Sequence, residues 1–189
     1  MLNFTTGNVS TLAGNGSYVL ADGTGTGASF VRPLAIAVDG NGNLFVSDSS
    51  SNAYGAVRKI VASSGVVTTI AGDGIHYGFA DGIGTYARFS HGAGIAVDAA
   101  GYVYLADIDN NCIRKINPAT GGVVTIAGNA TIAHYTSDGA GTNARFYNPS
   151  GVALSASGNS SGVIIYVTDT QNQRIRVVSC ATATCSPVA

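Results

Sequence analysis

Glutamate is absent from this 189-residue chain and only 10 % of its residues carry charge, so the surface has few groups with which to attract a polyanion. With a net charge of −1, a broad attraction to phosphate is excluded and no nucleic-acid partner is expected. No apolar run is long enough to span a bilayer, so no membrane span is expected either. The opening Met1-Leu2-Asn3-Phe4-Thr5-Thr6-Gly7 lacks the basic and apolar regions of a signal peptide. No stretch shows the helical period, and no G-x-S-x-G stands at a strand-to-helix turn as a hydrolase nucleophile would. Asp107-Ile108-Asp109-Asn110-Asn111 resembles a calcium loop but is without the glycine and the closing glutamate. No metal site and no cofactor are expected.

What is present is apolar residue, 46 % of the chain, enough for a sizeable core, and 26 glycines spread along the whole length, which point to many tight turns. The chain repeats itself. Ser10-Thr11-Leu12-Ala13-Gly14 returns as Thr68-Thr69-Ile70-Ala71-Gly72 and Val124-Thr125-Ile126-Ala127-Gly128, at a period of about 57 residues. A second signature follows each: Asp22-Gly23 through Phe30, Asp81-Gly82 through Phe89, and Asp138-Gly139 through Phe146. Then come Ala35-Ile36-Ala37-Val38-Asp39, Gly94-Ile95-Ala96-Val97-Asp98 and Gly151-Val152-Ala153-Leu154-Ser155. Next are Leu44-Phe45-Val46-Ser47-Asp48, Val103-Tyr104-Leu105-Ala106-Asp107 and Ile165-Tyr166-Val167-Thr168-Asp169, and finally Val57-Arg58-Lys59-Ile60, Ile113-Arg114-Lys115-Ile116 and Ile175-Arg176-Val177-Val178.

Each unit thus holds four short runs rich in Val, Ile, Tyr and Thr, divided by Gly, Asn, Asp or Pro, which predicts a four-stranded antiparallel meander, strands a to d. The a and b runs are apolar at successive positions, so both faces of the sheet need covering and no helix pattern is there to cover them. Radial stacking of like sheets meets that need, and the fold expected is an all-β propeller.

The motifs Gly94-Ile95-Ala96-Val97-Asp98, Tyr104-Leu105-Ala106-Asp107 and Asn110 through Ile113-Arg114-Lys115 resemble the NHL repeat, and the resemblance covers nearly the whole chain. The third unit departs from it with Ser155 in place of Asp and Val177 in place of Lys, and the first adds residues between Asp48 and Val57. The resemblance implies about three blades, half of a ring of about six. On this reading residues 8–14 are strand d of a preceding blade, the blades span about 30–72, 89–128 and 146–189, and the last lacks its own d strand. Two arrangements fit: a segment of a longer propeller, or two copies joined head to tail as a homodimer, each lending its first strand to the other.

The family includes protein-binding and RNA-binding modules, sensor and adhesion domains and a zinc- and calcium-dependent lyase. The expected function is non-catalytic binding or scaffolding for a protein or glycan partner. The alternative is part of a propeller enzyme, a metal-dependent lyase or lactonase, with its active site around the central channel. The recurring Asp48, Asp107, Asp169, Arg58, Arg114 and Arg176 read as structural, since chemistry needed once has no reason to recur in every blade. Phe30, Phe89 and Phe146 read as anchors between blades, and Asp22, Asp81 and Asp138 as turn formers. Binding residues are expected instead in the d-to-a connections, which vary between blades and cross one face: Tyr18, His76, Tyr77, His134 and Tyr135, a set of aromatic rings with polar edges. No carboxylate or thiol at ligand-like spacing supports a metal shared by His76 and His134. His91 reads as a turn residue. Cys180 and Cys185 flank an expected c–d hairpin turn, where a disulfide would staple it, whereas Cys112 reads as a small buried hydrophobe. Such a staple, with no Glu and little Lys, suggests an extracellular or otherwise extracytoplasmic location.

Overall fold

Short turns leave antiparallel pairing as the route by which each apolar run satisfies its backbone, and the chain takes it throughout. The computed structural model describes residues 7–50, 52, 54–131, 136–155 and 162–180. Among these there are three antiparallel sheets and no α-helix. The first sheet contains β1 (Gly23–Thr24), β2 (Pro33–Val38), β3 (Leu44–Ser49), β4 (Gly55–Val61) and β5 (Val66–Gly72), in the order β1-β5-β4-β3-β2. The second repeats it with β6 (Gly82–Ile83), β7 (Gly92–Val97), β8 (Val103–Asp107), β9 (Cys112–Asn117) and β10 (Gly122–Gly128), in the order β6-β10-β9-β8-β7. The third has β11 (Pro149–Leu154), β12 (Val163–Asp169) and β13 (Arg174–Cys180). The sheets are blades of a β-propeller, with strands a to d running outward from β2 and β7 and strands a to c from β11 among the described residues. Residues 8–14, expected as a d strand, pair with no strand among the described residues.

The a–b turns are closed by the aspartates of the third signature. Asp39 Oδ1 accepts the Asn41 and Asn43 amides at 2.9 and 2.8 Å, and Asp98 Oδ1 accepts those of Ala100 and Tyr102, both at 2.9 Å. Three clusters form the core. One joins Phe45, Val57 and Ala71 of the first blade to Phe89, Ile95, Leu105 and Ile116 of the second. Another joins Tyr104, Ile113 and Ile126 of the second to Phe146, Ile165 and Val167 of the third. Phe89 and Phe146 are therefore anchors between blades, as expected, and each buried ring contributes about 2–3 kcal/mol of hydrophobic stabilisation. The last cluster, around Val46, Ile60 and Val67, lies on the outer flank of the first blade.

The connection between blades does more than cross a face. Residues 73–79 cross it, and β6 then runs down the outer edge of the second blade, with Gly82 opposite Val123 and Ile83 opposite Gly122. A 3-10 turn at Gly84–Tyr86 reverses the chain at the far end, where the Gly84 amide donates to the Gly121 carbonyl at 2.9 Å. Gly84 takes φ +57°, a left-handed value that favours glycine, and its equivalents Gly25 and Gly141 take +55° and +53°. Ala80 bridges Arg88 on the way back, and Phe89 is delivered between the blades.

That detour corrects the reading of Asp22, Asp81 and Asp138 as turn formers. Their side chains belong to a clasp repeated in each blade. In the second blade Arg114 donates through Nη1 to Asp107 at 2.7 Å and the Arg88 carbonyl at 3.0 Å, and through Nη2 to Asp81 at 2.8 Å and the Ala80 carbonyl at 2.7 Å. Asp107 also accepts the Ser90 amide and the Asn110 side chain. Asp81 accepts the amide and hydroxyl of Thr125, on the outer strand, at 3.0 and 2.9 Å. Arg58 with Asp48, Asp22 and Thr69, and Arg176 with Asp169 and Asp138, repeat the pattern. Arg114 is buried between the rings of Phe79 and Phe89, 5.0 and 5.1 Å from their centroids. Burial opposes its charge, but Asp107 and its neighbours hold its pKa above the ordinary value. The Nε atoms of Arg58 and Arg114 stay buried without a partner. The recurring Asp and Arg residues thus hold strands b, c and d to the connection that wraps them.

Candidate functional site

Strands β5, β8 and β10 end, and β7 and β9 begin, on the face that carries the b–c turns and the first part of each connection. At the junction of the first two blades this face gathers aromatic and imidazole side chains. Asp73, just past β5, sets the first piece. Its Oδ1 accepts the Ile75 and His76 amides at 3.1 and 3.0 Å, and its Oδ2 lies 2.7 Å from His76 Nδ1 and 3.4 Å from Arg88 Nη1. Burial of Asp73 works against its charge, but the His76 ring, the two amides and Arg88 outweigh it and hold the carboxyl below its ordinary pKa. The far end of the loop is fixed by Asn110, whose Nδ2 donates to the Gly78 carbonyl at 2.8 Å.

Between those two fixings Tyr77 stands 68 % exposed, and its ring stacks on Tyr54 with centroids 6.0 Å apart and an interplanar angle of 25°. Tyr54 was not among the sequence candidates. It comes from the residues that the first unit adds between Asp48 and Val57, and that insertion was the signal. Ser50 and Tyr54 hydrogen-bond across the loop, and Tyr54 bridges Ser90 of the next blade. Beside Ser90, His91 takes φ +53° and places Nδ1 2.6 Å from Asp109 Oδ2, with the Ser90 hydroxyl 3.4 Å from the same oxygen. His91 is therefore a held turn residue, as expected, and also a partly exposed imidazole. In both histidines Nδ1 is engaged by a carboxylate, so hydrogen bonding to a ligand falls to Nε2.

His76 and Tyr77 thus belong to one strip with Tyr54 and His91. Tyr18 is not in that stack: 87 % exposed, it lines a shallow recess of about 610 Å³ with Gly14, Phe30 and Pro33 on the flank of the first blade. His134 and Tyr135 lie outside the described residues, as does Cys185, the expected partner of Cys180 at the end of β13. Cys112 is a buried free thiol, as its strand pattern implied. Asp107 and Asp109, which gave the look of a calcium loop, are engaged by Arg114 and His91 instead. Among the described residues no group of three or more His, Cys, Asp or Glu side chains is placed to hold a metal ion. No helix among them is long and apolar enough to cross a membrane.

No protein-family model matches the chain. Among curated proteins, NHL repeat-containing protein 2 of Bos taurus is 30 % identical over 169 residues, covering 84 % of this chain and 22 % of its own length. The chain therefore spans about a fifth of that relative. Among solved structures, a protein of unknown function from Bacteroides thetaiotaomicron is 26 % identical and superposes with a TM-score of 0.61, covering 73 % of this chain and 32 % of its own. An auxiliary nutrient binding protein from the same organism shares the fold at 21 % identity and a TM-score of 0.56, over 71 % of this chain and 35 % of its own. The order of motifs, the antiparallel blades and these likenesses agree, and the three units belong to the NHL-repeat β-propeller family.

Proposed function

We propose that this propeller segment is a non-catalytic recognition module that presents the b–c and d–a loops at the junction of its first two blades to a protein or glycan partner. The observation that carries the reading is the stack of the exposed Tyr77 ring on the half-buried Tyr54, flanked by His76 on Asp73 and His91 on Asp109. Stacked rings on an outer loop contribute little to a core. Flat apolar faces beside fixed polar groups suit the ring of a sugar or the side chains of a peptide. The loops are tied to rigid blades by Asn110 and by the Tyr54–Ser90 bridge, so less ordering is needed when a ligand arrives. The chain's third connection, with His134 and Tyr135, is proposed to extend the same surface. A Cys180–Cys185 disulfide and a location outside the cytoplasm are proposed with it.

The test is a screen of arrayed oligosaccharides and arrayed peptides with the wild-type chain and with Tyr54→Ala and Tyr77→Ala. Ligands held by the wild type are expected to be lost at least tenfold by both variants, with melting temperatures nearly unchanged, as for other surface substitutions. Equal binding by wild type and variants overturns the reading. Stoichiometric zinc or calcium tied to turnover would replace it with that of a propeller enzyme.

A further inference from the structure

Each repeat leaves its outer-strand motif on a residue whose side-chain oxygen accepts the amide two residues on: Asn15 that of Ser17, Asp73 that of Ile75 and Asn129 that of Thr131, at 2.9, 3.1 and 2.9 Å. A neutral amide serves that turn twice, so the charge of Asp73 is extra to it. The b–c turn of the second blade carries another such extra charge. The Asp109 amide donates to the Ser90 carbonyl as the Gln171 amide does to that of Tyr147, and His91 and Asn148 share a left-handed φ of +53° and +52°. The third blade thus builds with Gln171 and Asn148 what the second builds with Asp109 and His91. Backbone geometry asks for neither Asp–His pair, yet both stand beside the Tyr77 ring: His76 precedes it in the chain, and Asn110, next to Asp109, holds Gly78.

Each of these carboxylates faces an imidazole Nδ1, at 2.7 and 2.6 Å. An ionised carboxylate only accepts, so in the neutral ring the proton sits on Nδ1 and Nε2 is a lone pair. Asp109 Oδ2 is taken by His91 and Ser90, while Oδ1 has no partner among the described residues and the side chain is 41 % exposed. The fixed polar side-chain atoms open to a ligand here are therefore acceptors, and only the tyrosine hydroxyls can donate. Arg88, the cation tied into this group, is occupied by the carbonyls of Thr85 and Ala87 and by Asp73. Arg32, in the place that His91 holds, lies one blade further round. Two carboxylates against one engaged arginine leave the strip negative. Tyr54 covers one face of the Tyr77 ring and the other is open.

We propose that the strip takes an arginine side chain of a peptide partner, its guanidinium flat on the open face of Tyr77 and its N–H groups directed to the flanking acceptors, with Asp109 as the counter-charge. The assignment rests on the strip being the recognition surface proposed above, and narrows its ligand. A guanidinium is planar, stacks on aromatic faces and carries donors alone, which matches an open ring bordered by acceptors. A sugar hydroxyl accepts as well as donates and brings no charge to meet Asp109. The chain already holds a guanidinium in this manner, Arg114 between Phe79 and Phe89.

The test titrates the chain with the blocked peptide Gly-Ser-Arg-Ser-Gly, with the same peptide carrying citrulline in place of arginine, and with the methyl glycosides of glucose, galactose and mannose. The ring protons of the histidines, three in the whole chain, report binding by NMR. Citrulline keeps the shape of arginine without the charge. The arginine peptide is expected to shift His76 and His91 and to bind about tenfold more tightly than the citrulline peptide, the size of one charged hydrogen bond. Asp109→Gln and His91→Asn install the residues that the third blade carries at the same places, and are expected to weaken the arginine peptide about tenfold and about threefold with little change in melting temperature. Tyr77→Ala should abolish the shifts. Equal binding of the arginine and citrulline peptides, equal binding by wild type and Asp109→Gln, or binding of a glycoside in preference to the arginine peptide overturns the arginine assignment and leaves the recognition surface standing. If neither peptides nor glycosides shift the two histidines, or if Tyr77→Ala leaves the shifts unchanged, the recognition surface fails and the assignment with it.

Discussion

Arg114 reaches Asp107 at 2.7 Å, both side chains closed to solvent, while its other terminal nitrogen holds Asp81 on the outer edge of the blade at 2.8 Å. One guanidinium therefore spans the blade from its second strand to the connection that wraps it. Lysine, with a single point of charge, cannot span both carboxylates.

Removing that guanidinium leaves Asp107 buried without its cation. Arg114→Met is expected to cost about 3–5 kcal/mol, the range for breaking one side of a buried pair. Arg114→Lys should recover only part of it. Asp81→Asn should cost less, about 1–2 kcal/mol, because Asp81 is 43 % exposed and its remaining donors keep access to water. Urea unfolding of the three variants gives the order, and equal losses for Arg114→Met and Asp81→Asn would contradict it.

Phe89 and Phe30 occupy the same repeat position in different surroundings. Phe89 is buried between two blades, whereas Phe30 lines an open groove on the first. In dilute solution Phe89→Ala is expected to lower stability by about 3–5 kcal/mol and Phe30→Ala by roughly half of that. The comparison by chemical denaturation separates inter-blade packing from packing within one blade.

Much of this architecture was legible because the repeat placed the same residues at the same intervals three times over, and alternation with glycine turns marks strands locally. The clasp was not. Asp22 and Arg58, like Asp81 and Arg114, meet across more than thirty residues, and an Asp followed by Gly looks like a turn in any local window. The outer-edge detour was hidden for a related reason, since β1 and β6 are two residues long and a two-residue strand shows no alternation. At the candidate site His76 and Tyr77 were legible as differences between blades. Tyr54 was not, because its importance comes from a stack on a residue of another loop and from a bridge to Ser90.

Cys112 is buried, and burial pushes its thiol well above the usual range, so at neutral pH almost none of it is thiolate. The native, unreduced chain is expected to show no thiol reacting rapidly with a coloured disulfide reagent, provided the proposed Cys180–Cys185 bond is present. Under denaturant without reductant one thiol should appear, and with prior reduction all three. Fast-reacting thiols in the native chain would overturn the proposed pairing.

Asp73 ties the loop that bears His76 and Tyr77, and its pKa is held below the ordinary carboxylate value of about 3.9. A carboxyl with a depressed folded-state pKa binds its proton more readily in the unfolded chain. Its stabilisation is thus fully present above the unfolded value and is lost as the pH falls through the folded one. Asp73→Asn keeps an oxygen acceptor but not the charge beside His76 and Arg88, and should cost about 1 kcal/mol at pH 6. The other carboxylates titrate equally in both proteins, so the difference between wild type and variant isolates this one. Urea unfolding between pH 6 and about pH 2 should show a constant gap down to about pH 4 that then closes toward the acid end. A gap that persists unchanged at the lowest pH would show that the loop is held by something other than the Asp73 charge.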